Sequence, residues 1–463
     1  MPPEPRPPAA DPSARPELLP ILRLGDVVGI VVGSVIGSGI FIVPATVALE
    51  VRSPLLIFAV WLAGGFLSFF GALAFAELGS MFPQAGGMYV YLREAYNPLV
   101  AFLFGWTLFL VIDSGAVATL AVAFTSKYLP YFVDLSAPMQ KVTALAMIVV
   151  LLVVNVVGVR WGSILQNLLT IIKSVAIVGV SVAIFVLATG KPTHFTTPPP
   201  ETLSGDLVSR FGLALIACLW AYKGWEAATF STGEMRNPKR DLFGGLLIGM
   251  LVILVLYLAA NAAYLYVFSA EEMARSSRVA ADAMNVAMGA GGAALLSFFI
   301  LFSIAGAANA NVLTSPRVYY AMAQDRLFFK PLAAVHPRFR TPHVAILAMG
   351  AWSVVLSLSG TFEQLAAYVV FGQWIFFGLT VGAVMILRRK RPELARPVRT
   401  WGYPVTPIIF IASALFIALS ALVNQFENAM AGLGIIALGI PAYLFWARRR
   451  RIAVLPPAPS PRE

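Results

Sequence analysis

The chain has 463 residues, of which 59% are hydrophobic and 12% charged, with a mean hydropathy of +0.82. A water-soluble domain typically carries about 25% charged residues, so the composition excludes an ordinary soluble protein. The formal net charge of +11 raises a nucleic-acid partner. The basic residues, however, are scattered between apolar runs rather than gathered on one folded domain, which speaks against that class.

The chain opens with Met1 to Leu19, rich in Pro, Ala and Arg and without an apolar run. That composition predicts a disordered tail over residues 1–20 and not a signal peptide. About 20 consecutive apolar residues span a bilayer. Twelve stretches approach or exceed that length: 24–49, 54–80, 99–129, 142–158, 163–188, 207–234, 242–268, 293–323, 343–360, 364–387, 404–424 and 430–447. They predict an all-α integral membrane protein, with one transmembrane domain over 21–448 and a short tail over 449–463. The acidic and arginine-bearing segment 269–282 reads as a short external helix.

With the N-terminus placed inside, most of the 33 Lys and Arg fall on the inner side, including the runs Arg317 to Arg340, Arg388 to Arg399 and Arg448 to Arg451. The outer side keeps Arg52, Lys127, Lys141, Lys191, Arg275 and Arg278. This bias predicts that both termini are cytoplasmic.

Two of the stretches are interrupted. The first reads Gly33-Ser34-Val35-Ile36-Gly37-Ser38-Gly39-Ile40-Phe41, and the second Trp220-Ala221-Tyr222-Lys223-Gly224-Trp225-Glu226. Backbone opened inside lipid survives only where it lines a cavity, and paired breaks in corresponding halves point to a transporter's binding site. Stretches one to five (about 24–188) and six to ten (about 207–387) each open on a broken helix. Five spans per set force opposite orientations, an inverted repeat, with 404–447 outside it.

The first break should leave the amides of Ser38 and Gly39 at the positive end of a half-helix, suited to a carboxylate. Gly33 and Gly37 also satisfy the small-xxx-small spacing of close helix packing. Around Trp220 to Gly224, freed carbonyls at a half-helix C-terminus suit an ammonium group. Val35, Ile36, Gly37, Ser38, Gly39, Trp220, Ala221, Tyr222, Lys223 and Gly224 therefore make a candidate receptor for a zwitterion.

Ionisable residues inside membrane stretches are functional candidates. Lys173 lies about 15 Å along the fifth helix at 1.5 Å per residue. Asp113 sits in the middle of the third and could pair with Lys173 or Lys223, read a cationic substrate side chain, or carry a coupling proton. Glu226, three residues past Lys223, would pair with it on one helical face. Glu77, near the inner end of the second helix, suits an inner polar network. Asn309 and Ser315 could face the third helix or the first. The only cysteine, Cys218, lies inside the sixth stretch and permits no intrachain disulfide. With three histidines and no nucleophile–base or metal-ligand motif, the sequence suggests neither an enzyme nor a cofactor or metal site.

From Leu24 to Arg448 the residues resemble the amino acid–polyamine–organocation superfamily, and within it bacterial relatives of the L-type amino acid transporters. The resemblance rests on ordered motifs: Gly37-Ser38-Gly39-Ile40-Phe41; Phe75-Ala76-Glu77-Leu78-Gly79 with Gly86-Gly87-Met88-Tyr89; Asn155, Gly158-Val159-Arg160, Gln166-Asn167 and Lys173. Next come Ala221-Tyr222 with Gly224-Trp225, Glu234 and Asn237-Pro238, then Asn309, Ser315-Pro316-Arg317, Thr341-Pro342, Arg396-Pro397 and Gly402-Tyr403-Pro404. It implies alternating-access transport of amino acids, with the two breaks holding substrate and an aromatic at Trp220 closing over it. It further implies that Lys173 replaces the sodium of ion-coupled members, so transport is sodium-independent, by exchange or proton coupling. Lys223 departs from the pattern. Neutral L-amino acids are the expected cargo, with a cationic amino acid or polyamine carrier, or a non-transporting sensor, as alternatives. Animal L-type transporters join an ancillary subunit through a cysteine between helices three and four. Residues 128–141 contain none, so no disulfide-linked subunit is expected. The implied location is the cell (inner) membrane of a bacterium.

Overall fold

The structure, a computed structural model, describes residues 18–196, 205–359, 362–424 and 426–454. The tail expected to be disordered at the N-terminus, and the last residues of the chain, lie almost wholly outside that range. Among the described residues the regular elements are all helical, and the one extended pairing is a bridge between Leu22 and Met235.

In chain order, α1 (Leu24–Val35) and α2 (Gly39–Val51) meet at a 45° bend, followed by α3 (Pro54–Met81) and the short α4 (Met88–Ala95). The next helix is α5 (Pro98–Thr107), which passes through a π-helical turn at Leu108–Ile112 into α6 (Asp113–Ala123). Two long helices follow, α7 (Ala137–Val157) and α8 (Val159–Leu187). The second half runs α9 (Gly205–Ala221), α10 (Ala227–Phe230), α11 (Pro238–Val267), α12 (Ala270–Arg275), α13 (Val279–Thr314), α14 (Pro316–Gln324), α15 (His343–Ser359) and α16 (Phe362–Lys390). The chain closes with α17 (Val405–Asn424) and α18 (Phe426–Val454).

Among the described residues, eight helical segments are long and apolar enough to cross a membrane, nine counting the bent α1–α2 pair. The fold is that of a multi-pass membrane protein. Helix α8 shows why. Ile164, Leu168, Ile171, Val175, Val178 and Val182 recur every three or four residues and are all exposed. The opposite face turns Gln166, Thr170 and Lys173 inward. An amphipathic helix in water does the reverse. Only an apolar solvent makes this arrangement favourable, and it aims Lys173 at the core.

Helix ends depart from the sequence expectation because hydropathy registers a helix's apolar middle rather than its polar ends. Helix α7 starts at Ala137, with Pro138 in its first turn, where the missing N–H costs nothing. Helix α13 starts at Val279, well before 293, and bends at Gly289, whose φ of 68° is open to glycine. The expected external helix is confined to α12. There Ser269 and Glu272 form a capping box, and the hydrogen bond from the Ser269 amide holds the Glu272 carboxyl below its ordinary pKa.

Candidate functional site

The first break is built by residues poor at holding a helix. Ile36 leaves the helical region at ψ 92°, and Gly37-Ser38-Gly39 restarts the chain in a new direction. Carbonyls opened on the α1 side are taken up by side chains. The Lys173 ammonium donates to the carbonyls of Gly33 (2.9 Å), Ile36 (2.6 Å) and Ser303 (3.0 Å). The Ser303 hydroxyl donates to Ile36 and Gly37, and Tyr257 donates to Val35. On the α2 side nothing comparable occurs. The amides of Ser38, Gly39 and Ile40 find no backbone acceptor among the described residues, and no side chain caps α2. Three unpaired amides at a helix N-terminus form a ready anion site.

The second break follows α9. Gly224 has a φ of +123°, a region L-residues avoid, and its amide donates to the Glu226 carboxylate at 3.0 Å. A Cβ on Gly224 would lie 2.8 Å from the Ser34 backbone, and one on Gly39 would lie 2.8 Å from Ala221. The two opened segments thus press directly on each other. Tyr257 ties them together, its hydroxyl lying 2.9 Å from the Ala221 carbonyl and 3.2 Å from that of Val35.

A cavity of about 50 Å³ lies at this junction. At about 10–15 Å³ for each water, it holds a few solvent molecules and would have to widen for an amino acid. Val35, Gly37, Ser38, Gly39, Trp220, Ala221, Lys223 and Gly224 line it, eight of the residues singled out from sequence. Ile36 does not; its side chain is fully buried and only its carbonyl is used. Nor does Tyr222, whose hydroxyl donates to the Trp61 carbonyl on α3 and whose ring packs against Trp61 and Tyr257. Asp113 stands behind the wall, 2% exposed. Sequence reasoning missed Ser34, Ala116, Leu120, Ala307 and Asn311. Ser34 lay inside the quoted motif and could have been included, and Asn311 is polar within a membrane stretch, whereas Ala116, Leu120 and Ala307 carry no local signal.

Two expected pairings change, whereas Asp113 does pair with Lys223, one of the two partners foreseen for it. Lys223 forms its ion pair with Asp113 (3.4 Å), not with Glu226, because the turn at Gly224 destroys the helical spacing that would have put Lys223 and Glu226 on one face. Glu226 instead accepts from Gly224 and from Gln373 of α16. Asn309 reaches neither the third helix nor the first. It bonds Gln166 of α8 (2.9 Å) and accepts from Asn155 of α7 (2.8 Å). Ser315 does face the third helix, donating to Asp113 at 2.6 Å.

Glu77 lies away from the cavity, in a polar cluster. Arg388 holds it through two nitrogens (2.9 and 2.7 Å), and both the amide and the hydroxyl of Thr400 donate to it. A second buried pair, Arg317 with Glu234 (2.6 and 3.0 Å), joins the start of α14 to the segment after α10, and sequence reading gave neither residue a role. The Glu234 carbonyl accepts from Leu22, so this pair also touches the lead-in to α1.

Comparison with known proteins gives concordant matches. The amino acid permease family profile covers residues 22–440. The serine/threonine exchanger SteT of Bacillus subtilis (strain 168) is 32% identical over 417 residues, 89% of this chain and 93% of its own length. The human b(0,+)-type amino acid transporter 1 is 33% identical over 398 residues, 84% of this chain and 80% of its own. The human cystine/glutamate transporter is 31% identical over 425 residues, 89% of this chain and 83% of its own.

Proposed function

The chain belongs to the amino acid permease family, and from that premise we propose a sodium-independent carrier that exchanges small neutral L-amino acids by alternating access, with proton-coupled uptake as the variant. It is a transporter rather than an enzyme. We read it as twelve spans in the cell (inner) membrane with both termini cytoplasmic. Helices α1 to α8 and α9 to α16 are taken as two inverted sets of five spans, with α17 and α18 outside them. The transmembrane unit runs over 21–448, and no disulfide-linked subunit is invoked.

One observation carries the reading: two opened helices press together around a cavity lined by Ser38 and Gly39, whose amides are unpaired. A substrate carboxylate completes those amides. Its ammonium is offered carbonyl oxygens of the second break, which keep a lone pair beyond the bonds they already accept. Trp220, half-buried on the lining, is the candidate lid.

The sodium question turns on Lys173. Its fixed charge fills the carbonyl cluster that a small cation would otherwise need, so no sodium is required to hold α1 open. Small lining residues favour small cargo, in keeping with the serine/threonine exchange named for the Bacillus relative. Asp113 is neutralised by Lys223 and held by Ser315, which removes the motive for a cationic cargo.

Uptake of labelled serine, threonine and alanine into proteoliposomes, with and without internal amino acid, tests the proposal. Stimulation by internal substrate, unchanged when choline replaces sodium, supports it. Uptake abolished by that replacement overturns the sodium-independent part.

A further inference from the structure

Besides Ser38 and Gly39, the cavity wall carries the polar residues Ser34 and Lys223. Ser34 lines the cavity, and its hydroxyl is buried with no hydrogen-bond partner. Buried polar groups are nearly always paired, and an orphan on a residue that lines a cavity is open to a ligand. Beside it, the Lys223 side chain lines the same cavity and is 13% exposed. An ammonium has three donors. Its acceptor is Asp113, at 3.4 Å, longer than the usual 2.7–2.9 Å or so of a charge-assisted bond. Asp113's other oxygen is committed to Ser315. Lys223 therefore keeps donors to offer. Gly224 brings the two groups together, since its backbone lies against Ser34 and its chain neighbour is Lys223. Of the remaining lining residues outside the two breaks, Ala116, Leu120 and Ala307 offer nothing polar from their side chains, and the Asn311 amide nitrogen is committed to the Ala307 carbonyl.

We propose that Lys223 and Ser34 read an oxygen on the substrate's side chain, so the favoured cargo is a small neutral amino acid bearing a hydroxyl or carboxamide: serine, threonine or asparagine. This rests on the cavity being the amino acid site. A neutral oxygen receives a donor from Lys223 without repulsion. An anionic side chain would be drawn to Lys223 but would also face the Asp113 carboxylate behind it. An aliphatic side chain would leave both the ammonium and the hydroxyl facing a methyl group.

Threonine and valine have nearly the same shape and differ in the oxygen, so their ratio isolates the effect. Apparent affinities for threonine, valine, serine, alanine and aspartate are read from amino-acid-induced thermal stabilisation of the purified full chain. The wild type should bind threonine on the order of tenfold or more tighter than valine. Lys223→Met should bring that ratio close to one, and Ser34→Ala should reduce it in part. Because Lys223→Met strands the Asp113 carboxylate, the double variant Lys223→Met/Asp113→Asn repeats the test with both charges removed. A wild-type ratio near one, a ratio kept in the single and double variants, or aspartate as the tightest ligand would each overturn the inference. Stabilisation by no amino acid at all would instead sink the broader carrier reading.

Discussion

Gly39 and Ala221, 182 positions apart in sequence, touch so closely that a methyl group on Gly39 would sit 2.8 Å from both the Cα and the Cβ of Ala221. This contact closes the two helix breaks onto each other. Gly39→Ala must separate them. Overpacking typically costs about 1–3 kcal/mol, so the variant should remain folded but lose stability in that range. Amino acid uptake should fall more than stability does, because the amides of residues 38–40 are displaced. Thermal unfolding and proteoliposome uptake on one preparation check both halves.

Lys173→Ala should be more damaging. It deletes three bonds from one buried ammonium and leaves the carbonyls of Gly33, Ile36 and Ser303 short of a donor. Bonds to charged groups contribute about 1.5–3 kcal/mol each, offset here by relief of the buried charge. A net loss of about 2–4 kcal/mol and uptake reduced at least tenfold are expected. Lys173→Arg should not rescue, since a planar fork cannot point at three carbonyls converging on one nitrogen.

The pair Arg317–Glu234 is almost completely enclosed, at 1% and 0% side-chain exposure. Removing one partner of such a pair typically costs about 3–5 kcal/mol because the other charge is stranded. Arg317→Met and Glu234→Leu should each express poorly or unfold early. The double variant should recover part of that loss, which a comparison of melting temperatures would show.

Much of this was legible in the sequence because lipid simplifies the reading. Apolar stretches located helical segments, and glycine-rich interruptions located both breaks, including eight of the residues that line the cavity. The interruptions also marked where local reasoning would fail. Lys223 and Glu226 have helical spacing, yet the positive φ of Gly224 lies between them and sends one to Asp113 and the other to Gln373. Tyr222, in the same turn, swings to Trp61. Asn309 shows a different limit. Its polarity signals a partner within the bundle, but only tertiary packing decides that the partners are Gln166 and Asn155. Ala116, Leu120 and Ala307 look like any helix residue until the fold brings them to the cavity.

Cys218 is the chain's only cysteine and is fully buried. Replacing it with alanine and introducing Ser38→Cys puts a single thiol on the cavity wall, beside the unpaired amides. The rate at which a small methanethiosulfonate reagent labels that thiol, with and without L-amino acid, tests directly whether the two breaks hold the substrate. Saturable protection by L-serine or L-threonine, absent with their D-isomers, is the predicted result. Labelling at the same rate whatever amino acid is added would contradict it.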